Sequence, residues 1–460
     1  MEDKFGHRHR ALGVEADYQE LADQIKERLE SSDEAGLRAI VDEHHPADIA
    51  ESMRYLTDEE DQSLYARLSA HEQAEVLDEV DETTLSRLVR ATDPDRLAEI
   101  LPHLPPDEGA DVVGALSHER RDEVLDKLED SEPLRSLLSW PAQSAGGLMS
   151  RGYVDVPAEA RLDVALARFR EKRDAEHIFF VYAVEDDNSL VGSVDLRTLL
   201  TSDPKTPMRE LADKNVVTVP PDMDQENVAQ VFARYDLTAL PVVDEDRRLL
   251  GVITADDVID VVQEEAAEDV AHMSGTDAHE LEKKSPAKIA VMRMPWIMAT
   301  MGIELIAGFV VKTFDHTLAQ VLLLASFMPI ISAISGNTGL QSAAIIIRGL
   351  STGHVQIAQW KHAVSRQLST TLLLGATCGI ALGFVGAFWY GRWQFGALVA
   401  VGMFASVNIA GAVGTTIPLI SKRLGFDPAL TAGPFETAFQ DVVGISIFLG
   451  MATLLLPYLK

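Results

Sequence analysis

The chain has 460 residues, of which 72 are acidic and 40 are basic, and its mean hydropathy is +0.03. This length allows about three domains of ~150 residues each. Residues 1–285 hold 67 of the acidic and 30 of the basic residues, whereas residues 286–460 hold 5 and 10. A first part with this excess of acidic residues is expected to repel nucleic acid and attract cations. Surface solvation or adaptation to salt would explain the same composition.

Sequence signals for disulfides, secretion and catalysis are absent. The lone cysteine, Cys378, excludes an intrachain disulfide and fits a reducing compartment. The N-terminal stretch MEDKFGHRHR has no apolar core, so we expect no cleaved signal peptide. No P-loop, nucleophile elbow or HExxH motif is visible, and we expect no enzymatic activity.

Residues 1–138 predict an N-terminal helical domain. Short amphipathic segments such as DRLAEILPHLPPD (95–107), GADVVGALSHE (109–119) and RDEVLDKLED (121–130) follow one another at about the spacing of one helix. This pattern is typical of a small helical superhelix.

An internal repeat with a period of about 60 residues follows. The stretch at 152–182 resembles the stretch at 215–243, and each copy predicts a strand, a helix, two strands and a helix. The repeat resembles a pair of CBS domains, at 139–203 and 204–262. The resemblance implies ATP as a regulatory ligand, while a purely structural pair stays the alternative. The second copy keeps the Thr-x-x-Asp motif of CBS domains, as Thr254 and Asp257, whereas the first copy reverses it, with Asp195 before Thr198. The residues implied in nucleotide binding are Arg197, Thr198, Thr254 and Asp257.

Residues 263–290 predict a connecting helix that runs towards the apolar half. Acidic residues crowd two or three turns at its start, and such like charges oppose close packing unless something neutralises them. We expect a divalent cation to bridge these carboxylates; a solvated face is the alternative. The candidate sensing residues are Asp256, Asp257, Asp260, Glu264, Glu265, Glu268 and Asp269.

The apolar half, at 291–460, predicts five membrane-spanning helices, because each needs ~20 largely apolar residues. If the N-terminal part is cytosolic, nine Lys and Arg residues flank the inner side and three flank the outer side. This asymmetry predicts a cytosolic N-terminus and an outer C-terminus in the cytoplasmic membrane. Five spans cannot form a symmetric two-half transporter alone, so we expect a homodimer with a shared pathway. The predicted spans are 295–314, 317–347, 368–390, 396–420 and 435–458.

Ionisable and amide side chains inside these spans mark a candidate pore, since a charge within a membrane is costly. Asp441 is the strongest candidate. For Glu304, a structural hydrogen bond to a neighbouring helix is almost as good an explanation as ion handling. Glu436 lies near a helix start, where the helix dipole favours an anion, so a structural role is preferred. In the stretch 328–343, Pro329 and two glycines are expected to open the helix and free carbonyl oxygens; close helix packing is the alternative. Oxygen ligands of this kind favour a hard cation such as Mg²⁺. The candidate pore residues are Asp441, Thr437, Asn337, Gly336, Gly339, Gln341 and Glu304.

Five motifs resemble the MgtE family of magnesium transporters over essentially the whole chain. They are HPADIAE (45–51), SAGGLMS (144–150), RMPW (293–296), SGNTGLQS (335–342) and LGFDPALTAGPF (424–435) with the Thr437 and Asp441 that follow.

The resemblance implies a homodimeric Mg²⁺ channel whose pore carboxylate is Asp441, helped by the backbone near Thr437. Cytosolic Mg²⁺ bound among the acidic residues would close it, and ATP would raise the sensitivity of closure. The chain departs from the family pattern at Gln367, Glu436 and Ala438. The residues alone leave two alternatives open: a membrane-tethered nucleotide sensor that conducts nothing, and a transporter of another divalent cation such as Co²⁺ or Mn²⁺.

Overall fold

The computed structural model describes residues 15–171, 179–276, 286–357 and 360–459. These residues form two compact units that divide between Val261 and Val262, and each unit is described by itself. The predicted multidomain α and α+β organisation is confirmed: helices come first, a paired α+β repeat follows, and long apolar helices complete the chain.

Helices, most of them short, follow one another from residue 15 to residue 148. Several begin where a side chain accepts hydrogen bonds from the free amides of the first turn, as Asp33 and Asp81 do. Thr57 and Glu60 form a capping box at another helix start. The helices are α1 Glu15–Ser31, α2 Glu34–Glu43, α3 Pro46–Met53, α4 Asp58–Tyr65, α5 Ala70–Glu79, α6 Glu82–Ala91, α7 Pro94–Ile100, α8 Pro106–Gly114, α9 His118–Leu125, α10 Glu132–Leu137 and α11 Ala145–Leu148, with a 3₁₀ turn at Leu101–His103.

These helices stack in the manner of a superhelix. Helix α1 packs on α3, α3 on α5, α5 on α7 and α7 on α9, while α4 packs on α6 and α6 on α8. Because each short helix buries only a narrow apolar stripe, neighbours two positions apart complete one another's core.

The internal repeat folds as two similar α+β copies. In the first, β1 pairs in parallel with β2, and β2 pairs with β3 in antiparallel fashion. In the second, β4 and β5 are antiparallel, and a single parallel bridge from Val219 to Val242 takes the place of β1. The elements are β1 Val154–Pro157, α12 Leu162–Glu171, β2 Phe180–Val184, β3 Leu190–Asp195, α13 Leu196–Thr201, α14 Met208–Leu211, α15 Gln225–Tyr235, β4 Ala239–Val243 and β5 Leu249–Thr254.

A long helix, α16, leaves the second copy at Ala255 and ends at Ser274. It begins inside the range predicted for the second CBS domain. The positive φ of Gly275 (70°) ends it, a conformation that glycine adopts without steric cost. Residues 277–285 of the predicted connecting helix lie outside the described residues, and residues from 286 onward already belong to the first apolar helix.

Five helices of the second unit are long and apolar enough to cross a membrane. The strongest packing joins α20 to α21, α19 to α21, and α17 and α19 to α23. The helices of this unit are α17 Pro286–Thr313, α18 Asp315–Gln320, α19 Leu324–Ser351, α20 Trp360–Tyr390, α21 Trp393–Leu424, α22 Pro428–Thr431, α23 Pro434–Leu454 and α24 Leu456–Leu459.

The ends of the spans differ from the predicted ones. Helix α17 starts nine residues before Pro295, because a proline inside a membrane helix does not have to end it. The predicted start of the second span, at 317, belongs instead to the separate short helix α18, and α19 starts at Leu324. Hydropathy alone does not detect such a break, because residues 321–323, where it occurs, are apolar.

Candidate cation sites

Asp441 lies two turns into α23 and is partly buried. The hydroxyl of Ser332, on α19, donates a hydrogen bond to Asp441 Oδ1. Glu304, on α17, is exposed, and its carboxyl interacts directly with that of Asp441. Two carboxyl groups from two helices therefore lie side by side within the membrane-spanning unit.

An open groove of about 460 Å³ lies next to this pair. Glu304 and Thr437 supply polar atoms to it, and the Thr437 hydroxyl bonds to the Gly433 carbonyl at 3.2 Å. A Cβ at Gly336 would lie 3.2 Å from Thr437 Cγ2, so the missing side chain lets α19 approach α23. The other residues that line the groove are Met273, Thr300, Leu340, Gly433 and Ala438.

The structure separates the candidate pore residues into two groups. Glu304 and Thr437 line the groove, Asp441 adjoins it through its contact with Glu304, and Gly336 lies against Thr437. Asn337 and Gln341 lie on the exposed face of α19 and do not line the groove.

The expected opening of α19 at 328–343 is wrong, because the helix runs unbroken from Leu324 to Ser351. Pro329 stands in the second turn, where it removes only one helical hydrogen bond. The hydroxyls of Ser335 and Thr338 bond to carbonyls one turn back, at 2.8 Å each. Gly339 serves close packing, since a Cβ there would overlap Glu436 Oε1. The packing alternative therefore accounts for the glycines.

A second set of carboxylates meets in the first unit, where sequence reasoning found only Asp257. Burial raises the pKa of Asp257 to about 7, and Asp107 adds to the shift. Burial also raises the pKa of Glu108 to about 9, with further contributions from Asp78, Asp111, Asp107 and Asp257. Asp107 accepts a hydrogen bond from Ser150 at 3.1 Å, yet burial raises its pKa to about 6.

The remaining sensing candidates spread along α16. Asp256, Asp260 and Glu264 are exposed and Glu265 is partly exposed. Burial, followed by the charge of Asp256, raises the pKa of Asp260.

The C-terminal end of α16 contacts the loops of the membrane-spanning unit. Asp269 accepts a hydrogen bond from Ser351 at 2.8 Å, and burial raises its pKa. His272 Nδ1 lies 2.8 Å from Asp427 Oδ2, and its Nε2 lies 3.6 Å from Glu268. Within the described residues, no group of three or more His, Cys, Asp or Glu side chains is arranged to enclose a metal ion.

The two Thr/Asp pairs of the repeat are bonded differently. Thr254 donates from its backbone amide and its hydroxyl to one oxygen of Asp257, at 3.1 and 2.6 Å. In the first copy, Thr198 engages both oxygens of Asp195, at 2.8 and 3.0 Å. These hydrogen bonds lower the pKa of Asp195. Thr254 thus leaves one oxygen of Asp257 unused, whereas Thr198 engages both oxygens of Asp195, and the exposed Arg197 lies beside the reversed pair.

Comparisons with known proteins match three parts of the chain. Residues 328–451 match a divalent cation transporter family, MgtE, and residues 44–143 match the MgtE intracellular N domain. Residues 145–204 and 208–264 match the CBS domain.

Two bacterial relatives are named magnesium transporter MgtE. The one from Thermus thermophilus is 36% identical over 70% of this chain and 72% of its own length. The one from Bacillus subtilis is 34% identical over 70% and 72%. A crystal structure of the cytosolic domain of the Mg²⁺ channel MgtE with ATP is 35% identical, with a TM-score of 0.49, and covers 52% of this chain and 99% of that one.

Proposed function

The chain belongs to the MgtE family of divalent cation transporters, and from this premise we propose that it is a Mg²⁺-selective channel closed by cytosolic Mg²⁺. It is an integral membrane protein of five apolar helices. One observation carries the proposal: the carboxyls of Asp441 and Glu304 lie together beside an open groove that Thr437 also lines.

The chemistry of this groove suits a hydrated dication. Mg²⁺ dehydrates reluctantly and is usually held through one or two carboxylates while it keeps several waters. Asp441 supplies a carboxylate, and Thr437 and the carbonyls near Gly433 supply neutral oxygens that bond to the waters. A doubly charged ion gains about 4.6 kcal/mol from an inside-negative potential of 100 mV, so influx needs no hydrolysis.

A homodimer completes the pathway. Asn337 and Gln341 lie four residues apart on α19, and both are exposed in the single chain. Amide side chains that face lipid carry an energetic cost. A second copy of the chain that shares the pore would cover this face and remove the cost. We place the protein in the cytoplasmic membrane with the N-terminus in the cytosol and the C-terminus outside.

The acidic residues of the first unit and of α16 form the proposed sensor. When cytosolic Mg²⁺ is scarce, the ionised carboxylates of this set repel one another and loosen the packing, while Glu108, whose pKa is about 9, keeps its proton until Mg²⁺ displaces it. When cytosolic Mg²⁺ is abundant, bridging ions hold the compact, closed state. This mechanism requires Mg²⁺ to bind the closed state more tightly than the open state. The proposed set includes Asp256, Asp260, Glu264, Glu265, Glu268 and Asp269, and the structure adds Asp78, Asp107 and Asp111 as candidates.

ATP is the proposed regulatory ligand of the CBS pair. Asp257 presents one carboxylate oxygen that Thr254 leaves unused, which suits the hydroxyls of a ribose. Arg197 and Thr198 would contact the nucleotide from the first copy, where the reversed pair makes a second equivalent site unsuitable.

The test is Mg²⁺ flux into liposomes that contain the purified full-length protein and an internal Mg²⁺-sensitive dye. We expect Asp441→Ala to reduce flux at least about tenfold, which corresponds to about 1.4 kcal/mol of lost ion stabilisation. The control is Asp315→Asn, which neutralises an exposed acid at the start of α18. Normal flux in a correctly assembled Asp441→Ala protein would refute the pore role of Asp441. Absence of flux in the unaltered protein, alongside retained nucleotide binding, would favour the non-conducting sensor.

A further inference from the structure

Helix α23 carries a second polar face besides the one that holds Thr437 and Asp441. Glu436, Gln440 and Gly444 follow one another at intervals of four residues and therefore share one side of the helix. Glu436 and Gln440 are each only 1% exposed, whereas Thr437 and Asp441 are partly exposed. The buried side faces α19 and α21.

Polar atoms on this buried side lack ordinary hydrogen bonds. Among the described residues, neither carboxylate oxygen of Glu436 has a hydrogen-bond partner, and Gln440 Nε2 and Ser406 Oγ have none either. The Gln440 amide is close enough to influence the Glu436 carboxyl, yet no hydrogen bond of normal geometry joins them. Three buried, unpaired polar side chains on two helices are unusual, because such groups are nearly always satisfied.

Backbones and hydroxyls of three helices converge at this place. Glu436 Oε1 lies directly against Gly339, and the carbonyl oxygen of Gly339 lies against Gly414 of α21. About two turns further along α23 from Glu436, the hydroxyls of Ser335 and Ser406 both approach Gly444, each 3.6 Å from where a Cβ would stand. The Gly339 backbone therefore adjoins the Glu436 carboxylate, while the two serine hydroxyls lie about two turns away on the same side of α23.

A carboxylate buried in a membrane domain needs a compensating charge, because an isolated buried charge is very unfavourable. No Lys or Arg side chain pairs with Glu436 in the part of the chain that the structure describes. Mg²⁺ is a poor candidate for this enclosed position, since it dehydrates reluctantly and one carboxylate balances only half of its charge. A small monovalent cation matches the single negative charge and accepts amide, hydroxyl and carbonyl oxygens as ligands.

We propose that Glu436 and the side-chain oxygen of Gln440 bind one Na⁺ inside each protomer, at the junction of α19, α21 and α23. The bound ion joins three helices, two of which also carry Gly336 and Asp441 of the groove. The site thereby links the local Na⁺ concentration to the stability of the membrane-spanning unit. This inference does not depend on which ion the groove conducts.

The experiment uses the purified full-length protein in detergent, with Mg²⁺ removed by chelation and chloride held constant with N-methylglucamine. We expect the midpoint temperature of unfolding to rise with the logarithm of the Na⁺ concentration, by several degrees over a roughly hundredfold range. Radioactive sodium should bind at one ion per chain. Glu436→Gln, which preserves shape and removes the charge, should abolish both effects, whereas the control Asp315→Asn should keep them.

Gln440→Met provides a second variant of similar volume if Glu436→Gln does not fold, and we expect it to weaken Na⁺ binding at least about tenfold. Equal Na⁺ binding in the unaltered protein and in Glu436→Gln would overturn the proposal. It would also be overturned if the midpoint responded to pH but not to Na⁺, because a proton would then neutralise Glu436.

Discussion

At the scale of single residues, Gly339 is the position where packing tolerates least change. Its neighbours are the Glu436 carboxylate on one side and the backbone of Gly414 on the other. An added methyl group has no free space, and overpacking of this kind costs about 1–3 kcal/mol. We therefore expect Gly339→Ala to lower the midpoint temperature of unfolding in detergent and to reduce Mg²⁺ flux.

Gly302→Ala is the matched control, because it changes the same residue type in a neighbouring membrane helix where no atom lies within 4 Å of an added Cβ. We expect its stability to change by less than about 0.5 kcal/mol. Equal stability of the two variants would show that α19, α21 and α23 do not pack as closely as described.

Sequence reasoning at this scale selects residues whose signal is local. Asp441 stands out because an acid in an apolar run is rare whatever surrounds it. Asp107 and Glu108 did not stand out, since both lie in a polar stretch at the start of α8 and only folding brings them to Asp257. Three acids within five residues, DEGAD at 107–111, are the signal that could have drawn attention to them. The burial of Glu436 and the close approach of Gly339 depend on three-dimensional packing.

At the scale of elements, a hydrogen bond joins the end of α16 to the end of α19. Ser351 donates to the half-buried carboxylate of Asp269 at 2.8 Å. Ser351→Ala leaves that carboxylate without this donor, at a cost of about 1–2 kcal/mol. We expect amide hydrogen exchange in the last two turns of α16 to quicken roughly tenfold, as measured by mass spectrometry.

Thr352→Ala controls for the loss of a hydroxyl at the same helix end, because Thr352 is exposed and its hydroxyl bonds to nearby groups, the Arg348 carbonyl and His354 Nδ1, rather than to α16. In the Thr352→Ala variant, amide hydrogen exchange in α16 should be as fast as in the unaltered protein. Unchanged exchange in Ser351→Ala would mean that other contacts, such as that of His272 with Asp427, hold the end of α16.

The proximity of Glu108, on α8, to Asp257, at the start of α16, should make binding of the proposed sensing Mg²⁺ depend on pH. Glu108 and Asp257 have pKa values of about 9 and about 7, above those of the unfolded chain. The folded state therefore holds more protons, so without Mg²⁺ its stability is greatest at low pH and is lost as pH rises through these values. Because Mg²⁺ binds the ionised form, binding at pH 7 should release about one to two protons.

Calorimetric titration of the full-length protein with Mg²⁺, in two buffers of different ionisation enthalpy, measures this release directly. Glu108→Gln should lower the number of protons released by about one, because its proton is no longer available. The exposed Glu27 of α1 provides the control as Glu27→Gln, which should release as many protons as the unaltered protein. Binding heats that do not depend on the buffer would exclude these carboxylates from the site.

Predicted elements were most accurate where a periodic or apolar pattern runs long. The five apolar helices and both copies of the repeat are present, but their ends moved. Helix α17 extends into the residues around Lys288 because helical hydrogen bonding continues beyond the apolar stretch. The break between α18 and α19 lies within an apolar run, where hydropathy carries no information about backbone direction.

At the scale of the whole molecule, the order of domains could be predicted from motifs that lie far apart in the chain. The convergence of Asp78, Asp107, Glu108, Asp111 and Asp257 could not, because it depends on how the stacked helices pack on the α+β repeat. The division of charge has a clear consequence: the acidic excess lies almost entirely before residue 286, in the part proposed to sense Mg²⁺. Gating and conduction should therefore be separable by mutation.

The triple variant Asp257→Asn, Asp260→Asn and Glu265→Gln tests this separation. A ligand closes a channel only through its preference for the closed state, and a shift from 1:99 to 99:1 requires about 5.5 kcal/mol of such preference. Removing three carboxylates reduces that preference, so we expect the liposome flux to persist in millimolar Mg²⁺ that closes the unaltered protein. Glu20→Gln, Glu27→Gln and Glu30→Gln, on the exposed side of α1, remove the same charge and should leave closure intact. If the control variant stayed open to the same extent, the acidic excess would act through its long-range electric field. If the triple variant closed at the usual Mg²⁺ concentration, other residues would bind the ions that close the channel.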